Sequence, residues 1–125
     1  MDIRELLGVF LAGALGTLSR VGALEAAENL PNGSLLANFS ANVIGAFGLG
    51  FVLAHGMLLF PVWLRTTITV GFFGSYTTFS AIALLSISQP LSVGIPFLLF
   101  NLVFGVFAIG VGRLIGKLVS KANKK

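Results

Sequence analysis

At 125 residues, 56% hydrophobic and only 10% charged, the chain is too apolar for a soluble domain, where about a quarter of residues are charged. Eight basic residues against four acidic ones give a formal net charge of +4, but their placement at the ends of apolar segments excludes a nucleic-acid surface and fits anchoring at anionic lipid. With no cysteine, disulfides, thiolate metal sites and a cysteine nucleophile are excluded as well.

Four apolar stretches follow in order, each near or above the ~20 residues that a helix needs to cross hydrocarbon. The first covers residues 5–27. Asp2, Arg4 and Glu5 make its leading edge as acidic as basic. Ala12-Gly13-Ala14 belongs to a regular series of small residues, so the stretch reads as a span and not as a cleaved signal peptide. Gly8, Ala12 and Gly16 recur every four residues, a stripe that lets backbones approach closely in lipid. Arg20 is the one basic residue within this span; it either draws anions into a vestibule or reaches from a helix end to the interface. Asn32-Gly33 marks the turn that follows.

The second stretch, 35–58, carries Asn38 and Asn42 four residues apart and therefore on one face, then Ala46 and Gly50 at small-residue spacing. His55 falls near its end and is expected at the membrane interface. After Pro61, the third stretch, 62–87, is interrupted by Gly71-Phe-Phe-Gly-Ser-Tyr-Thr-Thr-Phe-Ser80. An interrupted helix survives in hydrocarbon only where its freed backbone groups find partners, which points to a binding or permeation element. After Gln89-Pro90, the fourth stretch, 91–118, places Asn101 among Phe97, Phe100, Phe104 and Phe107, and Gly112 and Gly116 one turn apart.

The expected fold is an all-α integral membrane protein, a single domain over 1–125 of four transmembrane helices with a broken third helix. Four thin, glycine-rich helices enclose little volume, so an oligomer is expected. Arg4, Arg65, Arg113, Lys117, Lys121, Lys124 and Lys125 fall on one side if the spans alternate, which places both termini in the cytoplasm of a multi-pass plasma-membrane or inner-membrane protein.

The polar residues inside the spans are neutral. A buried unpaired amide is costly, so Asn38, Asn42 and Asn101 either join helices or line a polar pathway. Asp and Glu do not occur from residue 29 onward, which removes the central carboxylate that a small proton-coupled multidrug exporter requires. Ser75 and Ser80 have no neighbouring base in the sequence, so an enzyme is not expected. Amide N–H, hydroxyl and aromatic-edge groups together suit a small hard anion without trapping it on a fixed cation.

Three segments in order resemble the Fluc (CrcB) family of fluoride channels. They are Gly13-Ala-Leu-Gly16-Thr-Leu-Ser-Arg20, Asn42-Val-Ile-Gly45-Ala-Phe47-Gly-Leu-Gly50, and Gly71-Phe-Phe-Gly74-Ser-Tyr-Thr77-Thr78-Phe79-Ser80. The resemblance spans nearly the whole chain. It implies an antiparallel dimer that passively exports fluoride and so lowers its toxicity, with a structural, untransported Na+ at the centre. Backbone carbonyls at Gly74 and Thr77 would hold the sodium. Asn42, Thr78, Phe79, Ser80 and Asn101 would form the fluoride pathway, with Arg20 at a vestibule.

Two features depart from the family pattern. Thr-Thr-Phe-Ser is followed by Ala81 and Ile82 where the family continues Thr-Phe, and the basic residues are strongly one-sided for a chain that inserts both ways. Both are accommodated if this chain pairs with a homologous, non-identical subunit of opposite orientation, so homodimer and heterodimer both stand as expectations. A non-conducting partner subunit is the remaining alternative.

Overall fold

The computed structural model describes residues 1–124 and is all-helical; Lys125, counted above with the basic tail, lies outside the described residues. Helix α1 (Ile3–Ala26) starts at Asp2, whose carboxylate accepts the Glu5 N–H at 2.8 Å, satisfying one of the free amides of the first turn. The turn into α2 (Gly33–Leu59) uses Asn32 in the left-handed region at φ 54°, a conformation asparagine tolerates. Gly33 follows because a Cβ there would overlap the Ala27 carbonyl.

Past Pro61, the chain forms α3 (Val62–Thr66), a π-helical segment (Thr67–Phe73) and α4 (Gly74–Tyr76), is extended at Thr77 and Thr78, and resumes as α5 (Phe79–Ser88). Helix α6 (Leu91–Ala122) contains Pro96 and runs past residue 118, where hydrophobicity alone had placed its end. Ile3–Ala26, Gly33–Leu59, Val62–Ser88 and Leu91–Ala122 are each long and apolar enough to cross a membrane.

Glycines decide which helices pair. Gly50 lies against the Ile109 carbonyl and Gly112 against that of Phe47, while a Cβ on Gly116 would stand 2.8 Å from the Phe51 carbonyl. These contacts zip α2 to α6. The two run parallel, since Asn42, Phe51 and His55 meet Asn101, Gly116 and Ser120 in the same order. On the other side, Gly8 admits Thr67, Gly16 admits the Phe72 carbonyl, and Gly71 lies against Val9 and Ala12, which packs α1 on the third span. Lipid offers no hydrophobic force between helices, so close backbone approach takes its place.

The interior is small and polar. Ala27, Ala37, Ala41, Ile82 and Ala108 are its buried apolar residues, beside Asn38, Asn42, His55, Thr67, Ser86, Asn101 and Ser120. Large apolar side chains such as Phe10, Val106 and Phe107 point outward, the reverse of a water-soluble core and the arrangement hydrocarbon favours.

Candidate functional site

The site grows out of the third span. Thr66, Thr67 and Thr69 donate their hydroxyls to the carbonyls of Val62, Trp63 and Arg65 at 3.1, 2.9 and 2.8 Å, and such back-bonding competes with the helical ladder and bends it. The ladder widens to the π-helical form over Thr67–Phe73. It stops at Thr77 (φ −87°, ψ 148°) and Thr78 (φ −153°, ψ 129°), two β-branched residues suited to extended backbone. The polar stretch noted in the sequence covers 71–80, whereas the extended backbone is confined to these two threonines, because the Phe73 carbonyl takes both the Thr77 N–H at 3.0 Å and its hydroxyl at 2.8 Å and so completes a last turn.

In a continuous helix the Thr78 N–H would reach the Gly74 carbonyl. Here it donates to Asn42 Oδ1 at 2.8 Å. The last carbonyls of α4, from Gly74 onward, thereby lose their helical donors, and the first N–H groups of α5 lose their acceptors. One junction offers hard oxygens from one side and amide donors from the other. Carbonyls of this kind, at Gly74 and Thr77, fit a hard monovalent or divalent cation.

Asn42 is 8% exposed and Asn101 3%. The Asn101 amide donates to the Phe97 carbonyl at 2.8 Å, which turns its Oδ1 toward Asn42. Asn42 Nδ2 reaches the Thr78 carbonyl at 3.4 Å and Asn101 Oδ1 at 3.5 Å, both at the weak end of hydrogen bonding. Its oxygen is therefore committed while its protons are loosely held. Gly45, one turn along, leaves the space that the Thr77 methyl and the Tyr76 ring occupy.

Asn42, Thr77, Thr78, Phe79, Ile82 and Asn101 line a groove of about 480 Å³ whose remaining wall is apolar surface of α2 and α6. Ser80 joins through its hydroxyl, 2.9 Å from that of Thr78. Phe79 is 62% exposed, while Ile82 is buried at the groove. Gly74 lies within α4 on the other side of Tyr76. Arg20, half-buried on α1, contributes to neither the hydrogen-bonded cluster nor the groove lining.

His55, expected near the interface from its place at the end of α2, packs against the matching end of α6. It is buried, with Nδ1 2.8 Å from Ser120 Oγ, and Ser120 in turn donates to the Gly116 carbonyl at 2.8 Å. Since that hydroxyl has one proton, the imidazole is the donor in this pair. Gly45 and Gly48 stand in the sequence as parts of a motif with no sign that they clear room for Thr77 and Tyr76 and for the Phe73 ring; the His55–Ser120 contact escaped the sequence reading, because the pair is 65 residues apart and no local spacing announces it.

Parallel and antiparallel spans around a buried amide cluster, with an extended pair in the third span and an apolar exterior, define a multi-pass membrane protein with a polar element at its centre. Residues 7–113 match the family described as CrcB-like protein, Camphor Resistance (CrcB), and the chain belongs to that family. It is 32% identical over 126 residues to the "Fluoride-specific ion channel FluC" of Hahella chejuensis, covering 95% of this chain and 99% of the relative. The "Fluoride-specific ion channel FluC 1" of Methanospirillum hungatei is 33% identical over 108 residues, 84% of this chain and 75% of its own length. A third relative, the "Fluoride-specific ion channel FluC 2" of Symbiobacterium thermophilum, is 39% identical over 119 residues, 85% of this chain and 92% of its own.

Proposed function

We propose that this chain conducts fluoride passively across a cell membrane and so lowers its concentration in the cytoplasm. The observation that carries the reading is the state of Asn42: its oxygen is fixed by the Thr78 N–H at 2.8 Å, while its amide protons have only the 3.4 and 3.5 Å contacts. A small anion with a high affinity for N–H donors can compete for such protons, and no fixed cation stands in the cluster to hold it. The Phe79 ring beside the groove supplies an electropositive edge, and the Thr78 and Ser80 hydroxyls extend the donor set. Asn101 positions Asn42 through its oxygen.

The apolar groove wall and the exposed Phe79 support an assembly in which a second subunit, antiparallel to the first, closes the pathway. The Gly74 and Thr77 carbonyls, freed at the break, would hold a sodium ion, which would supply a fixed charge securing the ends of α4 and α5. The distribution of Arg and Lys favours the orientation with both termini of this chain in the cytoplasm; an antiparallel copy of the same chain would carry its own on the opposite side.

Flux from proteoliposomes tests the proposal. Purified protein should release fluoride and retain chloride, with sodium present inside and out. Absence of fluoride flux in sodium, both from this chain alone and from this chain together with a homologous subunit, refutes the reading. Replacing sodium with a bulky organic cation should abolish flux if Gly74 and Thr77 hold the ion. A second reading, a heterodimer with a homologous subunit, is favoured by Ile82, which is buried within its own subunit and brings no ring to a shared pathway. Robust flux from this chain alone excludes the obligate pair.

A further inference from the structure

Asn38 precedes Asn42 by one turn on the same face of α2 and is 4% exposed. Its Nδ2 donates to the Ser34 carbonyl at 2.8 Å. A carbonyl can only accept, so this contact fixes the amide's orientation and turns Oδ1 the other way. Among the described residues, Asn38 Oδ1 is the one buried side-chain oxygen or nitrogen without a hydrogen-bond partner. An acceptor left alone at that depth carries its full desolvation penalty, and a buried polar atom in a natural protein ordinarily has a partner.

The chemistry of the atom selects its ligand. A carbonyl oxygen repels fluoride and takes either an O–H or N–H donor or a cation, and one neutral oxygen by itself falls short of the several oxygens a hard cation needs. A neutral donor with two protons answers both needs: one proton satisfies Oδ1 and the other remains to solvate an anion. Four residues of helix rise about 6 Å, a distance within reach of a chain of hydrogen bonds of about 2.8 Å each that runs from Oδ1 through water to an anion on the Asn42 amide.

We propose that Asn38 Oδ1 binds a resident water molecule whose second proton faces an anion at Asn42, making Asn38 the first rehydration point of the pathway. Asn38 is thus a positioning residue that acts through water, and its role rests on the fluoride reading of the Asn42 cluster. The water site itself does not. Burial of the oxygen and the fixed amide orientation demand a donor there whether or not fluoride passes.

Two nearly isosteric substitutions separate the acceptor from the shape. In Asn38→Thr the hydroxyl donates to the Ser34 carbonyl, as Ser19, Ser86 and Ser120 do to their own carbonyls four residues back, and its lone pairs still accept from water. Asn38→Val keeps the same branching without an acceptor. Threonine should conduct fluoride within about threefold of the parent, and valine should conduct about tenfold less than threonine, the worth of one buried hydrogen bond. A high-resolution structure of the parent in lipid should show an ordered oxygen within hydrogen-bond distance of Asn38 Oδ1, retained in Asn38→Thr and lost in Asn38→Val.

Equal flux in the two variants overturns the rehydration role. Absence of the ordered oxygen from the parent overturns the water site. If valine does not assemble, the parent and threonine densities decide the site, and threonine flux more than tenfold below the parent counts against the role. Should the parent pass no fluoride either alone or with a homologous subunit, the function of the Asn42 cluster fails, while the density at Asn38 still accepts or rejects the water.

Discussion

The Asn42–Asn101 and His55–Ser120 contacts join the same two parallel helices, and both are buried, yet they are built differently. At His55 the chain closes its hydrogen bonds: a 2.8 Å contact to Ser120 and a 2.8 Å contact from Ser120 to the Gly116 carbonyl. At Asn42 the oxygen is closed at 2.8 Å, but the Nδ2 contacts stretch to 3.4 and 3.5 Å. A closed polar pair holds helices together, whereas one with loosely held donors can exchange partners. In the proposed function the difference separates glue from pathway where residue type does not, since a buried asparagine and a buried histidine are equally improbable as lipid-facing residues.

Breaking the looser contact should have the largest effect. Asn42→Leu removes both the acceptor for the Thr78 N–H and the free amide protons, and fluoride flux should fall more than a hundredfold, the loss of several kcal/mol from a buried donor set. Size-exclusion of the variant should show the assembly intact. Unchanged flux from an intact assembly would reassign Asn42 to helix packing.

Gly45→Ala acts on the same cluster from behind, because its methyl would meet the Thr77 methyl and the Tyr76 ring. Displacing Thr77 should cost about 1–3 kcal/mol of stability, typical of overpacking. Thermal unfolding in detergent would register it, together with reduced flux. A variant as stable as the parent would show that the extended pair yields easily.

Ser120→Ala tests the closed contact. The histidine loses its acceptor, so stability should drop by about 1 kcal/mol, while flux per assembled channel stays that of the parent. A change in ion selectivity instead would place His55 on the pathway. The smallest effect should come from Gly110→Ala: apart from its chain neighbours and its own helix backbone, no described atom lies within 4 Å of a Cβ built there, so the single chain gains no clash. Loss of dimer in that variant would locate the partner subunit on this face of α6, and a dimer equal to the parent's would place it elsewhere.

The legible and the hidden parts of the site divide along range in sequence. Asn38 and Asn42 share a face because their spacing is four, and the turn at Asn32-Gly33 follows from the conformational tolerance of those two residues. The polar run from Gly71 to Ser80 was visible as composition. Its division was not: which residues remain helical depends on the Asn42 oxygen, 36 positions away, taking the Thr78 N–H. His55 looked interfacial from its place near the end of α2, and only Ser120 on α6 shows why it is buried.

Hydrophobic length by itself determined that the chain carries four segments able to cross a membrane, because the thickness of hydrocarbon sets the length of a helix. Small-residue spacing determined that the helices pack backbone to backbone. Tertiary structure alone decided which helices pair, that Thr77 and Thr78 carry the extended backbone, and which amide protons are left weakly held. Those outcomes rest on contacts between distant residues, and a hydrogen bond's length and direction are set by how two helices dock, not by the local pattern of either one.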